Sequence, residues 1–221
     1  MLFVGYDSAR DTIVGVANRL RREIPRFYPC LPPGLETIDG ASVRAEIRAN
    51  YSELFLVGHS LGGLILRRLM CDAAQDWLDA QEAMPGAPKH PVLEAAAVRL
   101  FSPVSAGFRP AGWLGLAIAS PISGVASMLL RRSPAFADCQ PDSPLLQSIR
   151  RRTEGLVSAR AADFQSLRGW ILWANPENVV LTDRYDSDHV EHSVDGTNHT
   201  SVCKPHETYT QPWTFVESGH P

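Results

Sequence analysis

Two hydrophobic patterns alternate along the chain: short apolar runs, and longer stretches in which apolar residues recur every three or four positions. The short runs predict buried β-strands, and the second pattern predicts amphipathic helices. Strands are predicted at Met1–Tyr6, Leu54–Val57, Ala96–Phe101, Gly169–Ala174 and, more weakly, Val190–Val194. Helices are predicted over residues 13–24, 43–51, 61–77 and 145–156, the first of them capped near Asp11 and stopped by Pro25. This alternation predicts an α/β fold with a mostly parallel sheet covered by helices on both faces.

One segment, residues 110–130, contains no charged side chain. Its length would span a membrane, but Ala, Gly and Ser dominate it and Pro121 lies at its centre. We therefore expect a buried or lid-forming segment rather than a span, with contact to a membrane interface as the alternative. The predicted organisation is an α/β domain over residues 1–205, with a lid or cap insertion at about 105–145 and a C-terminal tail over 206–221.

The strand at Leu54–Val57 runs directly into the sequence Gly58-His59-Ser60-Leu61-Gly62, which a predicted helix follows. This is the context of a nucleophile elbow, a sharp strand-to-helix turn that exposes a serine hydroxyl. Because the backbone of such a turn is crowded, we expect glycine to be required at both Gly58 and Gly62. A glycine-rich turn that contains a serine by chance is the alternative. The flanking strand and helix favour Ser60 as a nucleophile.

A serine hydroxyl needs a base to take its proton, and a histidine base needs an acid to orient it. In enzymes that use this elbow the acid follows a late strand, and the histidine comes after the acid. Glu177 follows the strand that ends at Ala174 and is the favoured acid. The rivals, which we expect to be solvated loop residues, are Asp183, Asp186 and Asp188.

The chain has seven histidines that could supply the base. His59 lies inside the elbow and is expected to point away from the serine oxygen. His90 precedes the acid by too much sequence, and His220 is close to a terminus that is expected to fray. The remaining candidates are His189, His192, His199 and His206. His199 is favoured because it lies in the turn-rich loop Gly196–Ser201, just past the last predicted strand.

Charge and composition narrow the function and the cellular location that we expect. A net charge of −3 argues against binding of nucleic acid, which requires a basic face. The pair Arg67 and Arg68 is expected on a solvated helix face. The cysteines Cys30, Cys71, Cys139 and Cys203 show no paired spacing, which predicts free, buried thiols in a reducing compartment. Without the layout of a signal peptide at the N-terminus, a cytoplasmic location is expected.

A metal site is not expected from the histidine-rich stretch near the C-terminus. His189, His192 and Cys203 could be combined as zinc ligands, but strand alternation would place the two histidines on opposite faces. No paired cysteine motif accompanies them. We therefore predict no metal site.

Several stretches resemble the α/β-hydrolase superfamily, in particular its lipase-like serine esterases. They are Leu56–Leu64, Trp173–Val180 and Gly196–Pro205, and Arg99–Pro103 is similar to the strand that follows the elbow helix in such enzymes. Relatives commonly have Gly and Asp where this chain has Asn175 and Glu177. The resemblance spans about residues 1–205.

This resemblance implies hydrolysis of an ester or related acyl bond through an acyl-enzyme, without a cofactor. It implies that Ser60, Glu177 and His199 form a catalytic triad. The backbone N–H of Leu61 would be one donor of the oxyanion hole, the group of N–H donors that binds the negatively charged oxygen of the intermediate.

One segment that the resemblance leads us to expect is absent. The family usually has a His-Gly pair well upstream of the serine, which donates the second oxyanion N–H, and no such pair precedes Ser60. Residues 2–8 resemble the strand that follows this segment, so we expect the first strands and the loop to be missing from this chain. In the other register, Leu2–Val4 is the earlier strand, Gly5-Tyr6 the loop and Phe27–Pro29 the next strand.

The sequence thus predicts a serine hydrolase that acts on a small, apolar or lipid-like ester. The alternative is a hydrolase-fold binding protein, or a remnant, that is weak or inactive because its oxyanion hole is incomplete. Thioesterase, peptidase and acyltransferase activities use the same residues and stay open.

Overall fold

In a computed structural model of the protein, the structure describes residues 2–7, 10–32, 50–109 and 137–221. These residues form an α/β fold with one four-stranded, all-parallel sheet in the order β1-β2-β3-β4. The strands are Leu54–His59 (β1), Ala96–Phe101 (β2), Gly169–Asn175 (β3) and His192–Asp195 (β4). The helices are Ile13–Glu23 (α1), Leu61–Ala83 (α2), Pro91–Ala95 (α3), Pro144–Ala159 (α4) and Gln211–Ser218 (α5). Short 3₁₀ turns cover Ile24–Arg26 and Gln165–Leu167.

Side chains alternate between the two faces of the sheet, and each face has its own apolar core. Leu100 and Ile171 pack in a large core with residues of α1, α2 and α4. Phe101 and Leu172, their neighbours in sequence, pack in a smaller core with Phe215 of α5. The predicted α/β class with a parallel sheet and helices on both faces is confirmed. The segment 206–221, predicted as a tail, contains α5, and Phe215 is fully buried edge-on against Phe101.

Local signals set the ends of the helices. Thr12 caps α1, next to Asp11 near which the cap was predicted, because its side-chain oxygen accepts the N–H of Gly15 at 3.0 Å. Ser143 caps α4 in the same way, with the following Pro144 in the first turn. The α-helix α1 ends at Glu23, and the turn that contains Pro25 continues the chain in 3₁₀ geometry.

The predicted strand at Met1–Tyr6 is wrong for the described part of that segment. Residues 2–7 have no strand pairing, and Leu2, Phe3 and Val4 are exposed. An extended apolar run becomes a strand only when a neighbouring strand supplies hydrogen bonds, so its composition alone did not decide the outcome. The weak strand predicted at Val190–Val194 is displaced, since Val190 is exposed and β4 begins at His192.

Two other predicted elements lie mainly outside the described residues. These are the helix over residues 43–51, of which Asn50 and Tyr51 are described and are not helical, and the uncharged segment 110–130. No helix within the described ranges is long and apolar enough to cross a membrane.

A buried ion pair joins α2 to the loop before β4. Two guanidinium nitrogens of Arg67 donate to the two carboxylate oxygens of Asp188 at 3.0 and 2.6 Å, and the two side chains are 2% and 0% exposed. Asp188 also accepts the N–H groups of Gly169 and Tyr185. The prediction that Arg67 and Asp188 are solvated is therefore wrong, because each satisfies the other's charge across 121 residues.

The four cysteines are free, but their burial differs from the prediction. Cys71 and Cys139 are buried as expected, whereas Cys30 is exposed and Cys203 is half-buried.

Candidate active site

Ser60 occupies the sharp turn between β1 and α2. Its backbone has φ 53° and ψ −120°, a conformation that side-chain-bearing residues rarely adopt and that costs energy. Hydrogen bonds hold it in place: Ser60 N–H donates to Phe101 O at 3.0 Å, and Ser60 O accepts from Gly63 and Val104 at 3.0 and 3.2 Å. The end of β2 therefore fixes the backbone that presents the Ser60 hydroxyl.

Two glycines allow this turn to pack closely: Gly58, which was predicted from the sequence, and Gly63, which was not. A Cβ at Gly58 would lie 2.8 Å from Gly63 N and 2.9 Å from the carbonyl of Gly62, so a larger residue cannot fit. A Cβ at Gly62 would have no atom within 4 Å, so the prediction that crowding requires this glycine is wrong. The second crowded position is Gly63, where a Cβ would lie 2.8 Å from Pro103 Cβ. Gly63 thus allows α2 to approach the end of β2.

A chain of hydrogen bonds joins the predicted nucleophile, base and acid. Ser60 Oγ lies 2.9 Å from His199 Nε2, and His199 Nδ1 lies 3.1 Å from each carboxylate oxygen of Glu177. His199 and Glu177 are buried. A carboxylate at Nδ1 selects the tautomer with the proton on that nitrogen, which leaves Nε2 free to accept the proton of the Ser60 hydroxyl.

Glu177 is held as an anion by donors on one side and His199 on the other. Its Oε1 accepts the backbone N–H groups of Val179 at 2.9 Å and Val180 at 3.3 Å. Burial on its own would raise the pKa of Glu177, but the hydrogen bonds from His199, Ser102 and Val179 outweigh it and lower the pKa below its usual value. The carboxylate is therefore charged at neutral pH.

Ser102 is a residue of this site that the sequence did not single out. It follows β2 with φ 39°, is fully buried and accepts the N–H of Ala174 on β3 at 3.1 Å, and its hydroxyl is one of the groups that lower the pKa of Glu177. One hydroxyl thus binds β3 and favours the charged form of Glu177. A signal was present, because a polar residue directly after an apolar strand lies at the same sheet edge as the elbow.

The rival acids have partners elsewhere. Asp183 forms a surface pair with Arg150 at 2.6 Å, and Asp186 is exposed. Asp188 is committed to Arg67, as described above. The structure places Glu177 against His199.

The rival histidines also have other contacts. His90 caps α3 and contacts Arg21 O, and His189 stacks on Trp170 with ring centroids 3.8 Å apart. His192 and His220 hydrogen-bond to each other, and His206 contacts Thr208. His59 reaches the main chain of His199, with 2.6 Å between its Nε2 and His199 O.

Leu61, the predicted oxyanion donor, is the first residue of α2. The N–H groups of a first helical turn have no acceptor within the helix and carry partial positive charge. Leu61 directly follows Ser60, so its N–H belongs to this first turn.

Other candidate sites lie apart from this chain of hydrogen bonds. A cavity of about 760 Å³ opens at the amino ends of β2 and β3, lined among others by Trp77, Lys89, Arg168 and Trp170. Ser60 lies after the carboxyl end of β1, so this cavity belongs to the opposite end of the sheet. No three His, Cys, Asp or Glu side chains of the described ranges are grouped so as to hold a metal ion.

Comparison with models of protein families, with curated proteins and with solved structures gave no match for this chain. The chemical interpretation therefore rests on the geometry of these residues.

Proposed function

We propose that the protein is a serine hydrolase of the α/β-hydrolase type that cleaves a carboxylic ester through an acyl-enzyme. The observation that carries this proposal is the position of His199 between Ser60 Oγ at 2.9 Å and the Glu177 carboxylate at 3.1 Å. These distances lie within the range for proton transfer from a nucleophile to a base.

The first half of the reaction forms the acyl-enzyme. Ser60 Oγ attacks the ester carbonyl carbon while His199 Nε2 takes the hydroxyl proton, and the Glu177 carboxylate balances the charge of the imidazolium. The carbonyl oxygen becomes an oxyanion, to which Leu61 N–H donates. When the C–O bond to the alcohol breaks, His199 returns its proton to the leaving oxygen, and the acyl group stays on Ser60.

The second half releases the acid. A water molecule attacks the acyl carbon as His199 takes one of its protons. Collapse of the second oxyanion breaks the bond to Ser60 Oγ, which recovers the proton from His199. The net change is one ester and one water converted to one acid and one alcohol, without a cofactor.

The oxyanion hole sets how active the enzyme is. Leu61 supplies one donor, and removal of one donor from such a site costs about 10²–10³ in rate. A hydrolase-fold protein without turnover is therefore the alternative that the assay must separate. For the substrate we propose an apolar, lipid-like ester, which the uncharged sequence of residues 110–130 supports.

A fluorophosphonate probe tests the nucleophile. The probe should label the wild-type protein, and Ser60→Ala should abolish labelling. Hydrolysis of short and medium p-nitrophenyl esters should be lost in His199→Ala and retained in His206→Ala, a matched change outside the site. Labelling that survives Ser60→Ala would contradict the proposal. Folded wild-type protein that hydrolyses none of these esters would favour the binding-protein alternative.

A further inference from the structure

We infer that His59 is a positioning residue, whose Nε2–H holds the main chain of His199 so that the His199 ring meets Ser60 Oγ; this inference rests on the proposed function. His59 Nε2 lies 2.6 Å from His199 O, and 140 residues separate the two along the chain. A carbonyl oxygen only accepts, so Nε2 of His59 must be the donor. Because His59 directly precedes Ser60, this bond links the nucleophile's turn to the base's loop.

The loop that carries His199 has many bonds within itself. The Asn198 side chain accepts the N–H groups of Thr200 and Ser201 at 3.0 Å, and Val202 N–H donates to Asn198 O at 3.0 Å. These bonds fix the shape of the loop but not its distance from the elbow. The bond from His59 fixes the distance between the loop and the elbow, because it holds the backbone from which the His199 side chain extends.

The charge of His59 suits this role. Burial and the neighbouring His199 lower the pKa of His59 to about 4, and Lys204 acts in the same direction. The bond to His199 O and the charge of Glu177 raise the pKa, but by less. At neutral pH the ring is therefore uncharged. The rings of His59 and His199 lie 4.9 Å apart, so a cation at His59 would oppose the imidazolium that forms on His199 during the reaction.

His90 provides a matched control for a merely structural contact. Its Nε2 also lies against a backbone carbonyl, Arg21 O at 2.9 Å, and burial likewise lowers its pKa. It caps α3 and is not part of the Ser60 site. Loss of a similar bond at His90 should cost stability without changing the reaction at each intact site.

The experiment compares His59→Leu, which removes the donor, with His59→Gln, whose amide nitrogen reaches about as far as Nε2, and with His90→Leu. Active sites are counted by fluorophosphonate titration, and kcat is expressed per titrated site. His59→Leu should lower kcat by about 10²-fold with KM unchanged, because a small misplacement of a catalytic group has effects of that size. His59→Gln should stay close to wild type, and His90→Leu should lower the melting temperature but not kcat per site.

A second measurement does not depend on turnover. The strongly deshielded proton of His199 Nδ1, which lies between that ring and Glu177, is followed by proton NMR in the same variants. The signal should be present in wild type, His59→Gln and His90→Leu, and lost or broadened in His59→Leu.

An unchanged NMR signal in His59→Leu would overturn the inference, as would an equal loss of rate in the Leu and Gln variants. If the wild-type protein is neither labelled nor active, the proposed function fails, and the NMR comparison still decides whether His59 positions His199.

Discussion

His199 Nε2 lies 2.9 Å from Ser60 Oγ, although the two residues follow opposite edges of the described sheet and are 139 positions apart. Ser60 follows β1, and His199 comes after β4. Neighbouring strands lie about 4.8 Å apart, so three spacings separate these edges by roughly 14 Å. The loop after β4 must therefore cross the carboxyl ends of β3 and β2, which Glu177 and Ser102 follow in the chain.

Glu177→Gln should lower kcat by about 10³–10⁴-fold while the protein stays folded. A neutral amide does not balance the imidazolium and does not enforce the proton on His199 Nδ1. Esterase kinetics and a circular dichroism melt check both parts. Asp183→Asn, at a rival carboxylate that pairs with Arg150 on the surface, should leave kcat near wild type. Equal losses in the two variants would contradict the assignment of the acid.

Ser102→Ala should reduce both activity and stability. The change leaves Ala174 N–H without its acceptor, and an unsatisfied buried group costs about 1–3 kcal/mol. It also removes a hydroxyl that helps to lower the pKa of Glu177. Urea unfolding gives the free-energy difference.

Ser105→Ala is the matched control for Ser102, because the buried Ser105 hydroxyl has no hydrogen-bond partner in the described part of the chain. Its removal should be neutral or slightly stabilising. A similar loss in the two variants would show that the bond from Ala174 N–H to Ser102 is not the cause.

Gly58→Ala and Gly62→Ala should have opposite effects on stability. The first places a methyl group 2.8 Å from Gly63 N and should prevent the elbow from closing, which thermal unfolding and soluble yield will show. The second has no atom within 4 Å and lies in the first turn of α2, where alanine is favoured over glycine by less than the roughly 1 kcal/mol of a helix interior. A destabilised Gly62→Ala would indicate that crowding extends across the whole turn.

The sequence predicted the elements whose signals are local. β2 has the predicted bounds Ala96–Phe101, and α2 begins directly after Ser60, because strand and helix periodicities change at the elbow. Glu177 and His199 were predicted from chain order, and the structure brings them to Ser60.

Features that depend on residues far apart in the chain could not be predicted from the sequence. The pairing of Arg67 with Asp188, the bond from Ala174 N–H to Ser102 and the crowding of Gly63 by Pro103 each join segments that periodicity treats separately. The strand prediction that includes Leu2–Val4 was wrong for the same reason, since a strand is defined by its neighbour as much as by its composition.

Asp188→Ala should be strongly destabilising. It leaves the guanidinium of Arg67 buried without its counter-ion, and breaking a buried pair from one side costs about 3–5 kcal/mol. Urea unfolding measures the change, and the double variant Arg67→Met with Asp188→Leu should recover most of it. If the double variant is as unstable as Asp188→Ala, the hydrogen bonds from Gly169 and Tyr185 to Asp188 are the main contribution instead.

Stability should fall as pH drops from about 6.5 to 4, and His59 should account for part of the loss. The unfolded histidine takes up a proton near pH 6.5, whereas in the folded protein the pKa of His59 is about 4. Within this window the unfolded chain binds more protons, so acid favours unfolding. At about 1.4 kcal/mol per pKa unit the total is roughly 3 kcal/mol. Unfolding free energies of wild type and His59→Gln at pH 7 and 4.5 test this, and parallel pH dependence would contradict it.

The backbone of Ser60 has a consequence for how this sequence can change. Its φ of 53° and ψ of −120° cost about 1–3 kcal/mol for a residue with a side chain, and glycine adopts such angles without that cost. Ser60→Gly should therefore give a more stable protein with no hydroxyl in the elbow. Selection for thermal stability alone would therefore favour loss of this serine, and with it the hydroxyl on which the proposed reaction depends.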